Sequence, residues 1–173
     1  MSELKIGLSK VVITPPAKSC ALEGIVYYRP SKYVESDLCA NAVVFEGEDT
    51  MIICSCDLLQ IPTEFKKRIL AHVSEMDPTI DTEKVSVNAT HTHNGPYVFE
   101  NAHPWINRAA GLPEGYTYED DYEYDPEVWM GDKTVPHLTK KIAEAIVSAW
   151  QNRKKGYFSP GFGRCVVGFT RRT

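Results

Sequence analysis

Apolar positions recur along the chain with two different periods, and these divide it into strands and helices. Leu4 to Thr14 is rich in β-branched and aliphatic residues and halts at Pro15-Pro16, which bring no N–H to a sheet ladder, so it predicts a first strand. Cys39 to Phe45 and Thr50 to Cys56 are two apolar runs joined by the polar, glycine-containing link Glu46 to Asp49, the mark of an antiparallel hairpin. Their almost unbroken apolarity predicts a sheet with both faces covered by helices. Gln60 to Met76 changes rhythm. Pro62 sits at a first helical turn, and Phe65, Ile69, Val73 and Met76 follow at helical intervals before Asp77-Pro78 closes the segment. Val85 to Thr90 alternates again as a strand. From Lys133 a second helix carries Val135, Leu138, Ile142, Ile146 and Ala149 on one stripe and ends near Gly156. Gly163 to Phe169 predicts a closing strand.

Between these elements lie two stretches without a sustained period. Residues 17 to 37 predict a loop with at most a short extended piece at Ile25 to Tyr28. Residues 97 to 132 hold two tryptophans, three glycines and the acidic-aromatic run Tyr116 to Asp125; a loop of that length inside a compact domain is usually a functional lid or a packed insertion. Strand, hairpin, helix, strand, long loop, helix, strand is the order of a mixed α/β fold, a mixed β-sheet covered by helices. At 173 residues it fits a single domain over 1–173.

Composition narrows the function. Apolar residues at 43% and charged residues at 24% describe a folding globular chain. Nineteen basic against 23 acidic residues give a net charge of −4 without a basic stripe, which argues against nucleic-acid binding. The N-terminus lacks the features of a signal peptide and no run reaches the length of a transmembrane segment, so the sequence as it stands predicts a cytoplasmic protein. The five cysteines, Cys20, Cys39, Cys54, Cys56 and Cys165, are odd in number and dispersed, which predicts reduced thiols and no zinc knuckle. No nucleophile elbow, phosphate-binding P-loop or dinucleotide fingerprint is present.

The sharpest chemical signal is Asn88-Ala-Thr-His91-Thr-His93-Asn-Gly95-Pro96. On extended backbone His91 and His93 share a face, so two imidazoles converge at the mouth of a sheet, and neutral imidazoles suit zinc. A catalytic zinc takes about three protein ligands and an open position. Two histidines fall short, and hydrogen-bonded polar side chains at a strand end fit the same spacing. Asp57, directly after an apolar strand, is the candidate catalytic carboxylate, with a structural role at a strand-to-helix turn as the alternative. Asp37, His103 and His137 are weaker candidates, and His72 borders the apolar stripe of the first helix, which predicts a partly buried structural role.

Three segments, Val11-Val-Ile-Thr-Pro-Pro16, Cys54-Ser-Cys-Asp-Leu-Leu-Gln-Ile61 and Ala89-Thr-His-Thr-His-Asn-Gly-Pro96, resemble the neutral/alkaline ceramidase N-terminal domain family. A fourth, Gly161 to Arg172, looks like the family segment that closes in Asn-Arg-Arg, with Thr170 in place of the asparagine. Asn94 likewise replaces the usual serine. The resemblance implies a zinc-dependent amidase that cleaves the N-acyl bond of ceramide, with His91 as a zinc ligand and His93 as a polar or acid/base group in the pocket. It implies a small-molecule or lipid amide substrate and a second histidine, a glutamate and a tyrosine as further ligands, all downstream of the Asn-Arg-Arg segment and so beyond Thr173. Two readings stay open: the N-terminal portion of a longer enzyme, or a binding or structural module that keeps the scaffold and meets a protein partner. Val166 to Phe169, as an unpaired edge, would offer a route to a homodimer.

Overall fold

The structure, a computed structural model, describes residues 3–24, 29–100 and 127–165. A five-stranded sheet runs in the order β5-β4-β3-β1-β7, built from β1 (Lys5–Val12), β3 (Cys39–Glu46), β4 (Thr50–Cys56), β5 (Val85–Ala89) and β7 (Lys154–Lys155). The hairpin forms as the apolar runs require: β3 pairs antiparallel with β4 from Ala40↔Cys56 to Glu46↔Thr50. β1 lies antiparallel on the other side of β3, and only β4 and β5 are parallel. A parallel neighbour needs a crossover, which α1 (Thr63–Met76) supplies. The second helix, α2 (Gly131–Gln151), leads back to β7 on the outer edge of β1.

Both helices lie on one face of the sheet. Gly7, Ser9, Val11 and Ile13 of the first strand and its extension point to that face with Ala42 and Val44 of β3 and Ile52 and Cys54 of β4, as period-two alternation demands. Their cover is Phe65, Ile69 and Val73 of α1 and the predicted stripe Val135, Leu138, Ile142, Ile146 and Ala149 of α2, all buried. α2 comes so close that the Ser9 hydroxyl donates to the Ala145 carbonyl at 2.5 Å, and a Cβ added to Gly7 would overlap the Ala149 carbonyl oxygen.

The opposite face is described only in part. Among the described residues no helix packs there, and Leu8, Val12 and Met51 remain 67%, 46% and 49% exposed. Val43, Phe45 and Ile53 on this face of β3 and β4 are half-buried. One corner is capped by Phe158, which meets Phe45 edge-on with ring centroids 5.6 Å apart.

Three expectations change. A two-stranded parallel sheet, β2 (Ser19–Cys20) with β6 (Val128–Trp129), forms inside segments read as loops; two-residue strands are too short to show a period. β7 is the last strand among the described residues; of the expected strand Gly163 to Phe169, residues 163–165 are irregular and exposed and the rest lies outside the described residues. Met76, the last residue of α1, is 37% exposed instead of continuing the buried stripe. Ile25 to Tyr28, His103, the run Tyr116 to Asp125 and the dimer edge Val166 to Phe169 lie outside the described residues.

Candidate functional site: a paired-histidine turn at the sheet edge

β4 and β5 run parallel and end side by side, so the segments that follow them, Asp57 to Ile61 and Thr90 to Pro96, leave the sheet at the same edge. Open α/β sheets present their ligand sites at such carboxyl ends. The ladder fades gradually: the Thr90 N–H donates to the Cys56 carbonyl at 2.9 Å and the His91 N–H to the Leu58 carbonyl at 3.0 Å.

His91 then takes φ of 65°, the left-handed region that a non-glycine residue adopts only where its surroundings enforce it. The two rings do meet, with centroids 5.0 Å apart and planes at 87°. They meet through a turn, which corrects the expectation that strand alternation brings them together, since the strand stops at Ala89.

Each imidazole is oriented by a backbone carbonyl. His91 Nδ1 lies 2.9 Å from the Leu59 oxygen and His93 Nδ1 lies 2.7 Å from the Gly24 oxygen. A carbonyl only accepts, so both Nδ1 atoms carry the proton in the neutral rings and both Nε2 atoms present a lone pair. Gly24 sits at φ of 99°, and a Cβ there would lie 2.7 Å from His93 Nδ1, so glycine is required twice over. Histidine metal ligands are typically tethered in this way through the nitrogen that does not bind the metal. Each ring is tethered in this manner, while among the described residues no three His, Cys, Asp or Glu side chains cluster as a metal site.

Asp57 stands at the root of this edge. Its Oδ2 accepts the Cys39 N–H at 2.9 Å and its Oδ1 accepts the Thr90 hydroxyl at 3.2 Å, so the carboxylate joins the start of β3 to the ends of β4 and β5. With one bond on each oxygen it is placed as a strut beneath the histidine turn.

Four contributors had no motif to reveal them. Glu23 is 5% exposed; burial raises its carboxyl above the ordinary carboxylate range, against the opposing pull of hydrogen bonds from Gln60 and the Val98 N–H. Gln60 Nε2 donates to Glu23 Oε1, and the Val98 N–H donates to Oε2 at 3.2 Å. Arg29 reaches the turn from the far side, donating to the His93 carbonyl at 2.7 Å and to Asn94 Oδ1 at 3.0 Å. A cavity of about 510 Å³ opens there; Arg29, Thr92 and Asn94 line it with Leu22 and Pro96, whereas neither imidazole does.

The weaker candidates stand apart. Asp37 accepts the Thr14 hydroxyl at 3.1 Å, and His137 packs edge-on to Trp129 with centroids 6.1 Å apart. His72 is partly buried on α1 with Nδ1 3.3 Å from Glu75, as expected of a structural position. Cys20, Cys39, Cys54 and Cys56 are buried free thiols and Cys165 is an exposed one. Burial pushes the Cys20 thiol up to about 11, and Cys56 is raised by its bond to Cys54, which keeps these sulfurs unreactive.

Comparison with solved structures places the fold. The chain is similar to the neutral ceramidase from Pseudomonas aeruginosa, with a TM-score of 0.67 and 21% identity over 90% of this chain and 23% of that one. A ceramidase structure described as complexed with C2 matches equally, with a TM-score of 0.67 and 22% identity over 90% of this chain and 22% of that one. The chain thus has the fold of a ceramidase segment. It spans less than a quarter of the length of these structures. No family model and no curated protein sequence matches it. Among the described residues no helix is long and apolar enough to cross a membrane.

Proposed function

We propose that this chain is part of a ceramidase-like, zinc-dependent hydrolase of a carbon–nitrogen amide bond, contributing His91 as a metal ligand and His93 as its polar neighbour. The observation that supports this reading is the tethering of both Nδ1 atoms to carbonyls, which leaves two Nε2 lone pairs at one sheet edge with their rings 5.0 Å apart.

Zinc held at His91 Nε2 would supply Lewis acidity for polarising the scissile amide carbonyl. The chain's own residues do the rest. Arg29, bonded to the His93 carbonyl, fixes the backbone from which that imidazole projects, and His93 Nε2 is the atom able to accept a proton and return it to the leaving amine. Asp57 and Thr90 hold the turn from below. In this reading the remaining ligands come from outside the described residues, and the substrate is a lipid or small-molecule amide of the class the two neighbours' names indicate.

Metal content of the purified chain beside His91→Ala tests the proposal. Both histidines are exposed, so the substitution spares the core. Zinc bound by the parent chain and lost in His91→Ala supports the site; equal zinc content in both overturns it and leaves the non-catalytic module as the better account.

A further inference from the structure

The two carbonyls that orient the histidines belong to segments far apart in sequence: Gly24 lies in the loop after β2 and Leu59 in the loop after β4. The residue beside each is Glu23 and Gln60, and these two are hydrogen-bonded to each other. The same carboxylate also accepts the Val98 N–H, and the Glu23 N–H donates to the Gly95 carbonyl at 2.9 Å, so the loop that carries the histidines is held as well. Three chain segments meet at one buried side chain.

We propose that Glu23 is a positioning residue, a clasp that through Gln60 and Gly24 sets the Leu59 and Gly24 carbonyls at a fixed separation and thereby the distance between the His91 and His93 Nε2 atoms. It touches neither imidazole Nε2 nor any reacting atom. Its carboxylate has the geometry of a clasp, because one oxygen serves the loop after β4 and the other the loop after the histidines, while the adjoining peptide unit carries the carbonyl that receives His93. Losing the clasp frees both carbonyls, and each ring then relaxes toward the Nε2–H tautomer that free histidine prefers, which occupies the lone pair a metal needs. This inference rests on the reading of the histidines as a metal-binding pair for its purpose, and on the tautomers alone for its geometry.

Nitrogen-15 spectra of histidine-labelled protein at pH 8 and zinc titration against a chromophoric chelator form the test. The parent chain should show both residues as Nδ1–H tautomers. Gln60→Ala, at an exposed position that leaves the fold intact, should convert both rings toward Nε2–H and weaken zinc about 10- to 100-fold, the usual cost of losing an outer-shell support. Glu23→Ala should do the same, and Glu23→Gln should restore the parent spectrum, because a glutamine at 23 can accept from Val98 and donate to a flipped Gln60 amide. Unchanged tautomers in Gln60→Ala and Glu23→Ala, with only melting temperature lowered, overturn the clasp. Should the parent chain hold the Nδ1–H tautomers and lose them in the variants yet bind no zinc, the clasp stands and the metal reading alone falls.

Discussion

The Thr90 hydroxyl rests 3.2 Å from Asp57 Oδ1, tying the end of β5 to the end of β4 one residue before the chain enters the histidine turn. With the Cys39 N–H on Oδ2, the carboxylate satisfies donors from two further segments. Asp57→Ala strands a part-buried N–H and a hydroxyl together, and a loss of about 1–3 kcal/mol in urea-unfolding free energy is expected. Asp57→Asn, which keeps one acceptor, should lose less. An unfolding midpoint unmoved by Asp57→Ala would mean the strut carries no load.

Gly7 offers a second test. Since a Cβ there overlaps the Ala149 carbonyl, Gly7→Ala must lift α2 from β1, at a cost of about 1–3 kcal/mol or more from overpacking. Thermal melting of this variant should fall clearly below that of the parent.

The two faces of the sheet should respond oppositely to truncation. Ile142 is fully buried on α2, so Ile142→Ala should cost about 2–5 kcal/mol through lost burial and a residual cavity. Leu8, on the open face, should tolerate Leu8→Ser within about 0.5 kcal/mol. Denaturant titrations of the pair decide whether that face is uncovered in solution.

His137 gives a pH dependence. Burial holds its imidazole below the ordinary value of 6.5, reinforced by Lys141 and opposed by the backbone of Ile13 and Thr14 and by Glu144. The unfolded chain therefore binds the proton more readily than the folded one, and stability present above about pH 6.5 is lost as pH falls below it. His137→Gln should reduce the drop in urea midpoint between pH 7.5 and 5.5; an identical drop in both proteins would remove His137 as its source.

The elements that a single period defines were legible in the sequence. α1 and α2, the β3–β4 hairpin and β5 follow from the spacing of Phe65, Ile69 and Val73, of Leu138, Ile142 and Ile146, and from the apolar runs on either side of Gly47. The site was legible only where residue types themselves carry chemistry, at His91 and His93. Glu23, Gly24, Gln60 and Arg29 were invisible because their significance lies in contacts across 37 to 69 positions, and a lone glutamate or glutamine has no spacing to betray it. Asp57 was visible as a residue at a strand end, and its two bonds, which support the structural side of that expectation, depend on the register of three strands. The left-handed turn at His91 arises from carbonyls supplied by the loop after β4, which no local pattern encodes.

The side of the sheet away from the helices has a consequence for handling the protein. Among the described residues Leu8, Val12 and Met51 are exposed on that side of a chain of net charge −4, so at the concentrations used for spectroscopy the chain should salt out early and take up hydrophobic dyes or mild detergent while fully folded. Dye fluorescence, ordinarily a sign of unfolding, would here report a native surface.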